Sequence, residues 1–145
     1  MSEPEISIRL ELRSDRVDPD RITEALGLQP SQIWRRGDAW GRRPRPRPEN
    51  GWVLATPYRA TWDADEPLRQ LLDWIEPSRA SLAELTTGGS VRGRLSIVGF
   101  QRDRGPSIYV DREVVRAIAQ LGIDLNVDFY VVGDDSDVEE RERDR

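Results

Sequence analysis

Histidine, cysteine and lysine are all missing from this chain of 145 residues. Each absence removes chemistry. Without cysteine there is no disulfide, no thiol nucleophile and no thiolate metal site. Without histidine the chain lacks the commonest general base and the commonest transition-metal ligand. Serine–histidine and cysteine–histidine catalysis and zinc held by nitrogen or sulfur are therefore excluded. Without lysine there is neither Schiff-base chemistry nor a phosphate-loop lysine. A carboxylate site for magnesium or calcium survives as a class, but no acidic spacing matches a calcium loop. The sequence thus singles out no catalytic residue, no metal ligand set and no cofactor. No run approaches the roughly 18 apolar residues of a membrane span. The start, MSEPEISIRL, has neither the basic end nor the apolar stretch of a secretory signal. The expectation is a cytoplasmic protein that does not enter a membrane.

All 22 basic residues are arginine. Genome base composition can produce such a bias, and the consequence holds regardless of its origin. Every positive charge is a planar, fork-shaped donor suited to carboxylate or phosphate. The formal net charge of −5 is unevenly placed. The segment from Gly133 to Arg145 has seven acids against three arginines. The stretch IWRRGDAWGRRPRPRPENGWVLAT runs the other way, with Arg35, Arg36, Arg42, Arg43, Arg45 and Arg47 against Asp38. The length suits one domain. We expect a single α+β domain over residues 1–132, containing a strand pair with an Arg/Pro-rich loop at 33–57. An acidic disordered tail over 133–145 follows, long enough to fold back over the arginine loop.

Periodicity supplies the elements. Ile6, Ile8, Leu10 and Leu12 alternate with Ser7, Arg9, Glu11 and Arg13, which predicts a half-buried strand. Asp18 and Pro19 open a helix that Gly27 stops. SQIWRRGD and NGWVLATPY read as two short strands. The alternating prolines between them predict an extended, polyproline-like, mobile connection. Asp65 caps a second helix bearing Leu68, Leu71, Leu72 and Ile75, and Pro77 divides it from a shorter one. VRGRLSIVGF is a strand and SIYV a further short strand. Asp111 caps a last helix with Val114, Val115, Ile118 and Leu121 inward. LNVDFYVV closes the domain with Leu125, Val127, Phe129 and Val131 inward. The predicted order is β-α-β-β-α-β-β-α-β, a mainly antiparallel sheet with helices packed on one face and a ferredoxin-like flavour. Val17–Leu28 and Val110–Ile123 echo each other, as a strand–helix–strand duplication would.

The segments IWRRGD, GWVLAT, LRQLLDWIEP and IAQLGIDLNVDFY together resemble the bacterial domain-of-unknown-function family 4279. The likeness runs from Ile6 to Val132. Its most specific marks are Trp34, Gly37 and Asp38 and the Gly51–Trp52 pair; the RRPRPRP insert is not among them. The resemblance implies a small bacterial protein and brings no activity with it.

The candidate binding residues are Trp34, Arg35, Arg36, Asp38, Arg42, Arg43 and Trp52. Trp34 and Trp52 read either as packing neighbours on the strand pair or as an aromatic wall for a planar ligand. Gly37–Asp38 reads as turn chemistry, or Asp38 orients an arginine of its own loop. The exposed sheet face, with Arg9, Arg13, Arg92, Arg94, Asp128 and Tyr130, lacks the paired aromatics of an RNA-recognition sheet. Three functions follow. The first is a protein-interaction module with an as yet unidentified protein partner, such as a toxin-neutralising protein. The alternative is a binder of nucleic acid or a small anionic ligand through the arginine loop. The third is an enzyme built on the carboxylates Asp38, Asp63, Asp65 and Glu66.

Overall fold

The computed structural model of the chain describes residues 3–133. The predicted acidic tail beyond Gly133, and any contact it makes with the arginine loop, lie outside the described residues. Ten residues of clean alternation form β1 (Glu5–Ser14). Then come α1 (Pro19–Leu26), β2 (Gln32–Trp34), β3 (Ala39–Trp40), β4 (Arg45–Pro46), β5 (Asn50–Ala55) and β6 (Arg59–Ala60). The second half holds α2 (Asp65–Ile75), a 3₁₀ turn at Glu76–Ser78, α3 (Arg79–Thr87), β7 (Arg92–Gln101), α4 (Arg112–Gln120) and β8 (Ile123–Val131).

The main sheet has the order β2-β5-β1-β7-β8, with β6 pairing the start of β1. Its pairs are antiparallel except β7–β8, which α4 joins in parallel. The fold is therefore α+β with a mainly antiparallel mixed sheet. Strands β7-β1-β5-β2, with the intervening helices, reproduce the split β-α-β arrangement of ferredoxin-like folds. α4 and β8 extend it on one edge.

Register explains which residues face the helices. Leu10 stands opposite both Leu54 and Leu95, and Leu12 opposite Trp52 and Gly93. These side chains join Ile22, Leu68, Leu71, Ile75, Leu82, Val114 and Ile118 in one core. The predicted caps of α1 and α4 form: Asp18 accepts from the Asp20 N–H and Asp111 from the Val114 N–H. The two helices share this chemistry, yet the strands they connect differ. β5 stands between β1 and β2, whereas β7 and β8 are adjacent, so the sequence echo does not extend to the sheet.

Several expectations need correction. The element order is richer than predicted at the arginine loop and poorer at Ser107–Val110, which makes only an isolated bridge from Ser107 to Asp63. The helix cap at α2 is not Asp65, which lies one residue inside; Asp63 accepts the Asp65 N–H instead. Val115, Leu125, Val127 and Val131 are not inward. They are 49%, 41%, 48% and 64% exposed: Val115 lies off the buried Val114–Ile118 stripe of α4, and β8 is an edge strand that one short helix covers only at its Ile123 end.

The Arg/Pro segment is also not a loose polyproline connection. β3 and β4 form a small antiparallel hairpin, with Ala39 opposite Pro46 and Trp40 opposite Arg45. Proline at every second position removes N–H groups from one edge of the extended chain only. The other parity keeps its donors, and the Arg47 N–H donates to the Asp38 carbonyl at 2.8 Å.

Gly51 on β5 sits opposite Trp34. A Cβ there would fall inside the Trp34 indole, at Cε2 and Cζ2. Gly51→Ala is therefore expected to destabilise the fold by about 1–3 kcal/mol through overpacking. The sign is informative, because alanine in a strand otherwise improves on glycine. Thermal unfolding of the variant measures it, with loss of the Trp34 near-ultraviolet signal as the local readout.

Candidate functional site

Alternation puts Arg9, Glu11 and Arg13 of β1, and Arg92, Arg94 and Ser96 of β7, on the sheet face away from the helices. The same face carries Trp34, since Trp34 pairs with Gly51 and Gly51 with Arg13. Trp52, one residue on, must point the other way. It is fully buried among the helices and donates its indole N–H to the Thr23 hydroxyl at 3.0 Å. The two tryptophans thus occupy opposite sides of the sheet and form no common wall.

The β3–β4 hairpin folds over the open face. Arg47, just after β4, lies between two indoles, with its guanidinium carbon 4.0 Å from the Trp34 ring centroid and 4.3 Å from that of Trp40. Arg45 covers Trp40 at 4.4 Å. Beneath this stack is a cavity of about 450 Å³. Its floor is Arg9, Glu11, Arg13, Arg94, Ser96 and, from β8, Asn126, Val127, Asp128 and Tyr130, and its roof is Trp34, Trp40, Arg47, Pro48 and Glu49.

The cavity's acids are mostly committed. Glu11 accepts from Arg13 Nε at 3.1 Å and from Arg94 Nη2 at 3.2 Å. Glu49 faces Arg13 at 3.8 Å and bonds Arg92. The Tyr130 hydroxyl donates to Asp128. Arg47 differs. It is only 8% exposed, and its guanidinium has no carboxylate within ion-pair distance and no hydrogen-bond acceptor among the described residues. Burial, reinforced by the charge of Arg13, pulls its pKa below the usual arginine range. Trp40 Nε1 is the one fully enclosed side-chain polar atom without a hydrogen-bond partner among the described residues, whereas the Arg47 guanidinium keeps contact with the cavity.

Sequence reasoning selected the neighbours of this site rather than its centre. Of the seven candidates, only Trp34 lines the cavity. Arg35 instead ties the loop to the start of α1, reaching Asp18 and Asp20 at 3.0 Å each. The carboxylate of Asp38 accepts the Arg35 N–H at 2.8 Å, with Gly37 at φ +91° completing the turn. The Arg36 N–H donates to the side chain of Asn50. The side chains of Arg36, Arg42 and Arg43 are exposed, outside the cavity. Arg47, Trp40, Arg9 and Glu11 were not singled out. Their signal was the polar side of β1 and the Arg-Pro alternation itself, which sets Arg45 and Arg47 on one side of an extended chain.

The other carboxylates considered for catalysis are engaged elsewhere. Asp65 pairs Arg69 at 2.9 Å and Glu66 pairs Arg59 at 2.7 Å. Among the described residues, no group of three or more acidic side chains is placed to hold a metal ion. None of the described helices is long and apolar enough to cross a membrane.

Glu11 supplies a pH test. Burial pushes its carboxyl up, but the Arg13 hydrogen bond and the charges of Arg13, Arg94 and Arg9 outweigh this and hold it below its ordinary value of 4.5. A depressed carboxyl stabilises the fold above its unfolded pKa, and that stability is lost as pH falls through the folded pKa. Glu11→Gln is expected to cost about 1–3 kcal/mol near neutrality. It should also flatten the decline in stability below pH 4.5. Urea unfolding of both proteins across the acid range measures the difference.

No curated protein and no solved structure matches the chain. One family model does, that of a domain of unknown function, DUF4279, which matches residues 4–132. Since the match spans the whole sheet and all its helices, the chain belongs to the DUF4279 family.

Proposed function

We propose that this protein is a cytoplasmic bacterial binding protein whose open-face cavity takes a small anionic ligand, a carboxylate or phosphate, with Arg47 as its principal contact. The observation that carries the reading is a buried guanidinium with no anion of its own at the edge of a polar cavity. Buried arginine is ordinarily paired. Here two indoles supply cation–π attraction but accept no conventional hydrogen bond, so the fork of donors is left for a ligand. Arg9, half-buried on the floor and without an ion pair among the described residues, adds a second cation.

Nucleic acid fits less well. The aromatic rings of the open face are already covered: Phe100 stacks with Tyr130 at 5.3 Å and touches Tyr58 at 5.5 Å, and arginines lie over Trp34 and Trp40. Base stacking needs such rings free. A foreign protein partner, such as a basic toxin, remains a second reading. It draws on the acidic balance of the chain and the exposed aliphatic residues of β8.

Titration with inorganic phosphate and with succinate, followed by calorimetry and tryptophan fluorescence, tests the proposal. Saturable binding is expected, and Arg47→Gln should weaken it about tenfold or more, the usual effect of losing one charge-assisted hydrogen bond. Arg9→Gln, which leaves the indole stack in place, should weaken it several-fold, while Arg36→Gln and Arg43→Gln leave it unchanged. Equal losses at Arg36 and Arg47, or no saturable binding of either anion, would overturn the reading.

A further inference from the structure

The free edge of β8 is the longest unpaired edge among the described residues, nine residues from Ile123 to Val131. Its register with β7 is unbroken, and the Val132 N–H donates to the Gln101 carbonyl at 2.9 Å. Backbone direction alternates along a strand, so the N–H and C=O groups of the odd residues 123 to 131 point away from β7. The odd side chains are Ile123, Leu125, Val127, Phe129 and Val131. They form an apolar row on the helix side, of which Leu125, Val127 and Val131 are substantially exposed. No proline, lysine or bulge blunts this edge, although natural edges usually carry such a device.

We propose that a second copy of this chain pairs on this edge, antiparallel, about a two-fold axis at Val127. The strand's own sequence selects the occupant and the register. With the axis at Val127, all nine residues pair. Leu125 then faces Phe129 of the second copy, Ile123 faces Val131, and Val127 meets itself. On the other side of the sheet, Asn126 faces Asp128 and Asp124 faces Tyr130. Apolar thus meets apolar, and no acid stands opposite an acid. Moving the axis to Asn126 sets Asp124 against Asp128, and moving it to Asp128 sets that carboxylate against itself. Axes further out leave nearly half the strand unpaired. A self-complementary strand is what an isologous dimer requires. The pairing would bring the second copy's strand beside Asn126, Asp128 and Tyr130, at the mouth of each cavity.

The native absence of cysteine makes the register directly readable. Single cysteines are placed in the full chain at positions 124 to 130 and oxidised mildly. Directly opposed, hydrogen-bonded residues have Cα atoms about 5.5 Å apart, within disulfide reach. Positions one or two residues from the axis meet their own copies at about 8 Å or about 14 Å, outside it. Val127→Cys alone should therefore move from 16.6 kDa to about twice that mass on a non-reducing gel. An equimolar mixture of Leu125→Cys and Phe129→Cys should cross-link where neither does alone. By light scattering, the unmodified chain should be a concentration-dependent dimer, and Val127→Asp a monomer with unchanged circular dichroism. A chain that stays monomeric at every concentration, or cross-linking that peaks away from position 127, overturns the proposal. Both are read without added anion, so their failure is distinguishable from a failure of anion binding.

Discussion

Glycine in a strand interior ordinarily weakens it, yet the face of the sheet opposite the helices is organised around Gly51. Because that residue has no side chain, the Trp34 indole can lie over β5 instead of standing away from it. Trp34 then offers a ring to Arg47, Arg47 offers a cation to Trp40, and Trp40 takes Arg45 on its other contact. This sequence of contacts holds the β3–β4 hairpin above the sheet and so encloses the cavity. Magnitudes indicate how far it can go unaided. Burying an unpaired guanidinium costs several kcal/mol even after relaxation. A desolvated cation–π contact contributes on the order of 2 kcal/mol. Two such contacts offset much of the cost.

The position of the cavity on the face follows from the residues that alternation places there. At one end, Val98, Phe100, Val132, Tyr58 and Tyr130 make a small second core and leave no space. At the other end, β1 and β7 present Arg9, Glu11, Arg13, Arg92 and Arg94. Glu11 and Glu49 hold three of these arginines apart in fixed positions. Long charged side chains that cannot interdigitate as aliphatic ones do leave room between floor and roof, and the room is polar. The excess of arginine over acid in this network is small, which suits a compact anion better than an extended polyanion.

How much of this was legible in the sequence depends on whether the deciding contact is local. The two faces of β1, the Asp18 and Asp111 caps and the glycine stops follow from period and capping chemistry within a few residues, and they are found as expected. The position of Trp34 was not legible, because its face is set by pairing with Gly51, seventeen positions on in the chain. That Trp52 faces away from Gly51 follows from alternation alone, but the side Trp34 shares with Gly51 needs the register. The RRPRPRP segment misled for a related reason. Alternating proline forbids pairing on one edge only, and the other edge becomes useful when a partner strand is present. In β8 the apolar parity was legible, but whether helices cover it depends on where α4 ends, and α4 is too short to reach Leu125 and Val127.

The same distinction separates the two surfaces this fold leaves unsatisfied. At the cavity, a buried guanidinium stands against two indoles where carboxylates are usual. Among the described residues, no strand pairs the outer edge of β8. One of the two is electrostatic and local. The other is nine residues of strand edge with an apolar row, the kind of surface on which an added strand pairs. Asn126, Asp128 and Tyr130 belong to both, since they sit on β8 and line the cavity. A strand added at this edge would order the side chains that form one wall of the cavity. Ligand affinity and self-association would then be linked through those three residues, each raising the other by the same factor.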